Sequence, residues 1–229
     1  MPLRLVPLVE GEIYHIVNRG VASMPMFIDV HHFKRALETA LYYQHNNPPL
    51  KYSYFIRMPQ SIKSEIFIKL GQSKDYLVEI ISYCFMPNHV HFLLKQLTEN
   101  GITDFMRKFS SSYTHYFNIK NKRLGPLFQG RFKAVRIETE QQLLHVSRYI
   151  HLNPYSSGIV KTITGLKDYF YSSLPEYLGN TKYLSCQKEI ILNYFRKPGA
   201  YEDFVFRHAD HQKSLSIIKH LLLENLETE

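Results

Sequence analysis

Residues 84–94 read CFMPNHVHFLL. Pro87 and Asn88 are turn residues. They separate two apolar, β-rich runs, YLVEIISYCF (76–85) and HVHFLLKQL (89–97), so 77–97 reads as an antiparallel hairpin. Alternate side chains of a strand share a face. His89 and His91 therefore lie on one side of the second strand, with Val90, Phe92 and Leu94 on the other. Buried imidazoles need hydrogen-bond partners, so two side by side are costly unless something uses them. A metal ion is one such use, because neutral imidazole is a common metal ligand.

The flanking segments supply the layers for such a hairpin. EIYHIVNRG (12–20) sets Ile13, His15 and Val17 against Tyr14, Ile16 and Asn18 and stops at Gly20, the pattern of another strand. In the segment 29–47, Phe33, Ala36, Leu37, Ala40 and Leu41 mark one helical face, and Asp29 is placed to cap it. The stretch 46–76 reads as an insertion containing a short helix. In 102–122, Ile102, Phe105, Met106, Phe109, Tyr113, Tyr116 and Phe117 recur every three or four residues, which predicts a long amphipathic helix. A loop and strand rich in Lys, Arg and Gly follow over 118–138. A further helix starts at a Thr139/Gln142 capping box and is expected to stop before Pro154. Beyond residue 160 the chain turns frequently, with helices expected at 185–195 and 210–227. In the second of these, Leu215, Ile218, Leu222 and Leu226 form a stripe.

The chain has 229 residues and a formal net charge of +8. That balance favours a polyanionic partner, since Lys and Arg displace counterions from phosphate backbones. No apolar run is long enough to span a membrane, and the first residues lack a secretory signal pattern. The two cysteines, Cys84 and Cys186, lack zinc-type spacing. These features point to a reducing, cytoplasmic setting, with association to the nucleoid when DNA is bound.

Tyr149 and Asn153 are four residues apart on the expected helix, as are His145 and Tyr149, so all three can look toward one site. A tyrosine hydroxyl can attack phosphorus, and two histidines with a polar third ligand can hold the cation that neutralises the phosphoryl oxygens. Each residue has a blander reading. A lone His-x-His can be structural, one tyrosine among 17 usually packs, and Asn-Pro can simply end a helix.

Taken together, YHIVNRG, YCFMPNHVHFLL, GPLFQGRFKAVRIE and LLHVSRYIHLNP, in that order, resemble the single-tyrosine HUH transposases, in particular the REP-associated tyrosine transposases. YFYSSLPEYLG resembles a tail segment of the same group. The resemblance covers about residues 10 to 180. It implies an α+β fold: a ferredoxin-like or RRM-like antiparallel sheet flanked by helices. The catalytic domain would occupy 1–160 and a mostly helical extension 161–229. It implies a metal-dependent single-stranded DNA endonuclease and strand transferase. Tyr149 would be the nucleophile that forms a 5′-phosphotyrosine link. His89, His91 and Asn153 would hold Mg2+ or Mn2+, and no nucleotide cofactor is implied. The partner would be single-stranded DNA with a hairpin near the cut, and the family includes both homodimers and monomers. The charge pattern nominates Asn18, Arg19, Arg107, Lys108, Arg131, Lys133 and Arg136 for DNA contacts, and His145, one helical turn before Tyr149, is a candidate for proton transfer. The rival readings are a non-catalytic single-stranded DNA or RNA binding module on the same fold and, more weakly, a zinc-stabilised structural protein.

Overall fold

In the computed structural model, residues 7–181 and 185–214 are described. Four strands, β1 (Ile13–Arg19), β2 (Val78–Met86), β3 (His89–Gln96) and β4 (Lys133–Arg136), form one sheet in the order β2-β3-β1-β4. Every pairing is antiparallel. The 77–97 hairpin is present, with Pro87 and Asn88 as its two-residue turn. The loop after β1 pins that turn. Gly20 N–H donates to the Asn88 carbonyl (2.8 Å), and Met26 and Phe27 N–H both donate to the Pro87 carbonyl (2.7 and 3.0 Å). Gly20 is obligatory there, because a Cβ would meet the Met24 carbonyl oxygen at 2.5 Å.

One face of the sheet is covered by α1 (Val30–Tyr43) and α4 (Gly101–Lys120). Asp29 caps α1, its carboxylate accepting from His32 N–H at 2.9 Å. In α4, Phe105, Phe109, Tyr113 and Phe117 succeed one another on one face and are all buried against Val90, Phe92 and Leu94. Burying each aromatic contributes on the order of 2 kcal/mol. The run Ser110–Ser111–Ser112 costs a few tenths of a kcal/mol per residue in helix propensity. Packing therefore decides that this segment is helical. Tyr116, expected on the same face, is only half-buried. The stretch 46–76 forms two helices, α2 (Tyr52–Phe55) and α3 (Gln60–Ser73), the second longer than its sequence pattern suggests.

On the opposite face lies α5 (Glu140–Ser156). Thr139 caps it by accepting from Gln142 N–H (3.1 Å). The Gln142 side chain reaches back to Glu138 N–H (2.8 Å), one residue earlier than a standard capping box. The expected stop before Pro154 is wrong, because α5 runs through Pro154 to Ser156. A proline inside a helix loses one backbone bond and crowds the preceding turn. Here the helix continues only to Ser156, and Leu152, Asn153 and Pro154 are all buried. Asn153 therefore stays in helical register with Tyr149.

The extension packs onto the outer side of α5. It contains α6 (Leu174–Tyr177), α7 (Glu189–Leu192), α8 (Ala200–Phe206) and a helical stretch at 209–214. Leu166, Leu174, Tyr177, Ile191, Tyr201 and Val205 form a second core with Ile150 and Leu152 of α5 and with Ile81 and Leu93 of the sheet. The helix expected over 185–195 shrinks to α7, since only this one turn buries an apolar residue, Ile191. The Leu215–Leu226 stripe lies outside the described residues. Residues 171–173 run along the free edge of β2. Phe85 N–H donates to the Tyr171 carbonyl (2.8 Å) and Ser173 N–H to the Tyr83 carbonyl (3.0 Å), which shields that edge from pairing with another chain.

Candidate active site

The register of β1 against β3 builds the floor of the site. Val17 lies opposite His91 and Arg19 opposite His89. Directly opposed residues share a face, so His15, Val17, Arg19, His89 and His91 all project toward α5. That helix lays Tyr149 above them. The Tyr149 ring meets the His91 ring edge-on at 5.6 Å and the His15 ring at 5.9 Å. Tyr149 is 41% exposed, open to a substrate on one side, while His91 is 4% exposed beneath it.

Three polar groups converge under the tyrosine. The Asn153 amide nitrogen is 3.3 Å from His91 Nε2, and the same side chain hydrogen-bonds His89. Amide nitrogen and oxygen are exchanged by a flip of the group, so Asn153 can present its oxygen to the same point. His89 Nδ1 is 2.7 Å from Asn88 Oδ1, which orients that ring from behind. Burial, with Arg19 nearby, lowers the His89 pKa to about 4. His91 is pushed well below its usual value by burial and by His89, His15 and Arg19 around it. Neutral, buried imidazoles with free lone pairs are the form that binds a cation. Among the described residues no group of three His, Cys, Asp or Glu is set to hold a metal ion. Asn153 is an amide, outside that set; a site of two imidazole nitrogens and one amide oxygen would suit Mn2+ more readily than Mg2+.

His15 is the member that sequence reading left without a role. Its Nε2 is 3.0 Å from His91 Nδ1, and the two rings stack at 5.2 Å. Burial lowers its pKa to about 4. The YHIVNRG pattern places it on a strand, but its partner depends on strand pairing across 76 residues of sequence.

The nominated DNA contacts divide between the two faces. Arg19 lies beside His89, and Lys133, across β1 from Val17, shares the site face. Arg131 is exposed just before β4. Asn18 is buried, and its side chain accepts from Arg19 N–H at 3.1 Å. Arg136 pairs with Glu12 at 2.7 Å on the opposite face. Arg107 and Lys108 sit on α4, also beyond the sheet from Tyr149. Arg107 pairs with Asp104 (3.0 Å), and Lys108 donates to the Asn46 carbonyl (2.7 Å). His145 is exposed and faces Phe204, 6.3 Å between ring centroids, rather than the imidazole cluster.

An antiparallel sheet carrying a histidine pair, with a tyrosine helix laid over it, is the arrangement that the single-tyrosine transposase resemblance implies. Comparisons with known proteins agree. Residues 51–153 match the family model described as "Transposase IS200 like". A putative REP-associated tyrosine transposase of Haemophilus influenzae is 30% identical over 111 residues, 44% of this chain and 61% of that protein. The chain thus spans about three-fifths of the length of that curated relative. A solved structure of a REP-associated tyrosine transposase bound to a REP hairpin shares the fold, with a TM-score of 0.53 at 17% identity. That match covers 80% of this chain and 88% of the other. By sequence, residues 51–153 are similar to the IS200-like transposases, and the fold of the chain is similar to that of the hairpin-bound REP-associated transposase.

Proposed function

We propose that the protein is a metal-dependent single-stranded DNA endonuclease and strand transferase that uses Tyr149 as its nucleophile. The observation that carries this reading is the edge-on placement of the exposed Tyr149 ring over His91, with Asn153 one helical turn further on and in contact with the same imidazole. His89, His91 and Asn153 would hold a divalent cation, which when bound neutralises charge on the phosphoryl oxygens. Tyr149 gives up its phenolic proton to water, and Oη attacks phosphorus. The Oη–P bond forms, the bond from phosphorus to the 3′ oxygen breaks, and that oxygen leaves as a 3′-hydroxyl after taking up a proton. The DNA 5′ end remains on the tyrosine as a phosphodiester, so the link can be reversed by another 3′-hydroxyl. Arg19 and Lys133, on the same face, are placed to hold the phosphate backbone, and Arg131 stands next to them in sequence. The structural relative's hairpin complex makes single-stranded DNA with a nearby hairpin the favoured substrate. Tyr149 lies over the histidines of its own chain.

The test is covalent trapping. Labelled single-stranded DNA bearing hairpins is incubated with the protein and Mn2+ or Mg2+, then denatured and resolved on a gel. A label that migrates with protein, is blocked by EDTA and is lost in Tyr149→Phe supports the assignment. Tight binding with no adduct across a diverse hairpin set would favour the non-catalytic binding module.

A further inference from the structure

The helix that carries Tyr149 also carries His151, which faces away from the histidine pair and is fully buried. Both of its ring nitrogens are engaged by the extension. Nδ1 lies 2.7 Å from the Tyr201 hydroxyl of α8, and Nε2 lies 2.8 Å from the Ser173 hydroxyl at the start of α6.

One consistent set of directions for these bonds starts from their outer ends. Ser147 Oγ donates to the Leu144 carbonyl at 2.9 Å, so toward Tyr201, 3.1 Å away, it acts as acceptor. The Tyr201 hydroxyl then donates to Ser147 and accepts from His151 Nδ1–H. The imidazole's other nitrogen, Nε2, is left with its lone pair and accepts from the Ser173 hydroxyl. Ser173 Oγ in turn accepts from Tyr83 N–H of β2 at 2.9 Å. The chain of bonds is satisfied in this arrangement and equally in its reverse, in which His151 Nε2–H donates to Ser173, whose hydroxyl donates to the Tyr83 carbonyl at 3.3 Å, and Ser147 donates to Tyr201, which donates to His151 Nδ1. It runs without a gap from the first half of α5, through α8 and α6, to the sheet edge. The extension also touches the exposed side of α5. The Gln212 side chain donates to the Tyr149 carbonyl at 3.2 Å, and the Tyr155 hydroxyl donates to Asp210 at 2.8 Å.

We infer that His151, locked between Tyr201 and Ser173, is a positioning residue that sets the rotation of α5 and thereby aims Tyr149 at the histidine pair. The inference rests on the reading of Tyr149 as the nucleophile. Residues 149 and 151 are about 200° apart around the helix at 3.6 residues per turn. A side chain held on the back of the helix therefore fixes what the front presents. Apolar packing alone does not do this as sharply, because Ile150 and Leu152 can slide against aliphatic neighbours, whereas two hydrogen bonds to opposite edges of one ring tolerate little rotation. The extension is then part of the catalytic apparatus and not a separable appendage.

The experiment compares full-length wild type, Tyr201→Phe and Ser173→Ala, which remove single hydroxyls and keep the core volume. Two quantities are measured well below the unfolding temperature: the single-turnover rate of adduct formation at saturating hairpin DNA, and the DNA dissociation constant. Amide hydrogen exchange over 147–153 is followed in the free protein. The expected result is an adduct rate reduced about tenfold or more in both variants, since small misplacements of a reacting group are costly in rate. The dissociation constant should stay within about twofold, and exchange should quicken in α5 while β3 is unchanged. A merely structural role would lower the melting temperature and leave the rate of the folded protein intact, and that outcome overturns the inference. If wild type itself forms no adduct, the nucleophile assignment fails, and the aiming of Tyr149 falls with it. The exchange data then still decide the lock on its own terms: α5-specific quickening upholds it, and unchanged or globally raised exchange removes it.

Discussion

His15 Nε2 lies 3.0 Å from His91 Nδ1. One of these two nitrogens must carry the proton. If His91 offers the Nε2 lone pair to a cation, its Nδ1 is the donor and His15 the acceptor. His15 then fixes the tautomer and ring angle of a ligand without binding the metal itself. Partners of this kind typically govern metal affinity by about ten- to a hundredfold. His15→Phe keeps an aromatic ring in the stack and removes the acceptor. It is expected to weaken Mn2+ binding to the DNA-free protein by roughly tenfold or more, read by titration calorimetry. Unchanged affinity would show that His91 is oriented by other means.

The two faces of the sheet make a charge experiment discriminating. Lys133 and Arg19 share the face of Tyr149, whereas Arg136 is paired with Glu12 on the other. Lys133→Ala and Arg19→Ala are expected to weaken binding of single-stranded DNA and to lower the slope of log K against log salt by about one each. Arg136→Ala should change neither appreciably, since an exposed ion pair contributes about 0–1 kcal/mol. A loss in Arg136→Ala equal to that in Lys133→Ala would mean that the strand does not follow the tyrosine face.

Asn153 tests the cation site from the helix side. Asn153→Leu keeps the approximate size and removes both polar atoms, leaving His91 without its 3.3 Å neighbour. Metal-dependent adduct formation is expected to fall at least tenfold, as for loss of a directly held oxygen ligand. DNA binding measured in EDTA should be unaffected. Equal adduct yields in the variant and wild type at limiting Mn2+ would remove Asn153 from the ligand set.

Local patterns carried most of what could be read in advance. The hairpin, the facing of His89 and His91, the Asp29 and Thr139 caps and the buried stripe of α4 depend on residues within a few positions of one another. What escaped depends on distant partners or on competing energies. His15 needs the β1–β3 register to meet His91. Pro154 looks like a terminator until the burial of Leu152 and Asn153 is weighed against one lost backbone bond. Arg107 and Lys108 look as suitable for a DNA groove as Lys133 does, until the sheet is seen to lie between them and Tyr149. His151 sits beside the candidate nucleophile in RYIHLNP, yet its partners Ser173 and Tyr201 lie 22 and 50 residues away.

Acid stability offers a separate check on His151. Burial lowers its pKa to about 3 in the folded chain, against about 6.5 when unfolded. A lowered histidine is neutral in both states above pH 6.5 and contributes no pH dependence there. As pH falls from 6.5 toward 3, the unfolded chain takes up a proton that the folded chain refuses, so stability declines over that window. One such proton amounts to about 1.4 kcal/mol per pH unit, or roughly 2 kcal/mol between pH 6.5 and 5. His15 and His89 add losses of the same sign in the metal-free protein, each with a pKa near 4. The His151 share is isolated by difference. Urea unfolding of metal-free wild type and His151→Gln at pH 7 and pH 5 should show the variant less stable at pH 7, where it lacks the fully bonded imidazole. The gap should narrow by about 2 kcal/mol at pH 5. Parallel stability curves in the two proteins would mean that His151 is protonated in the folded state, or that its site admits water.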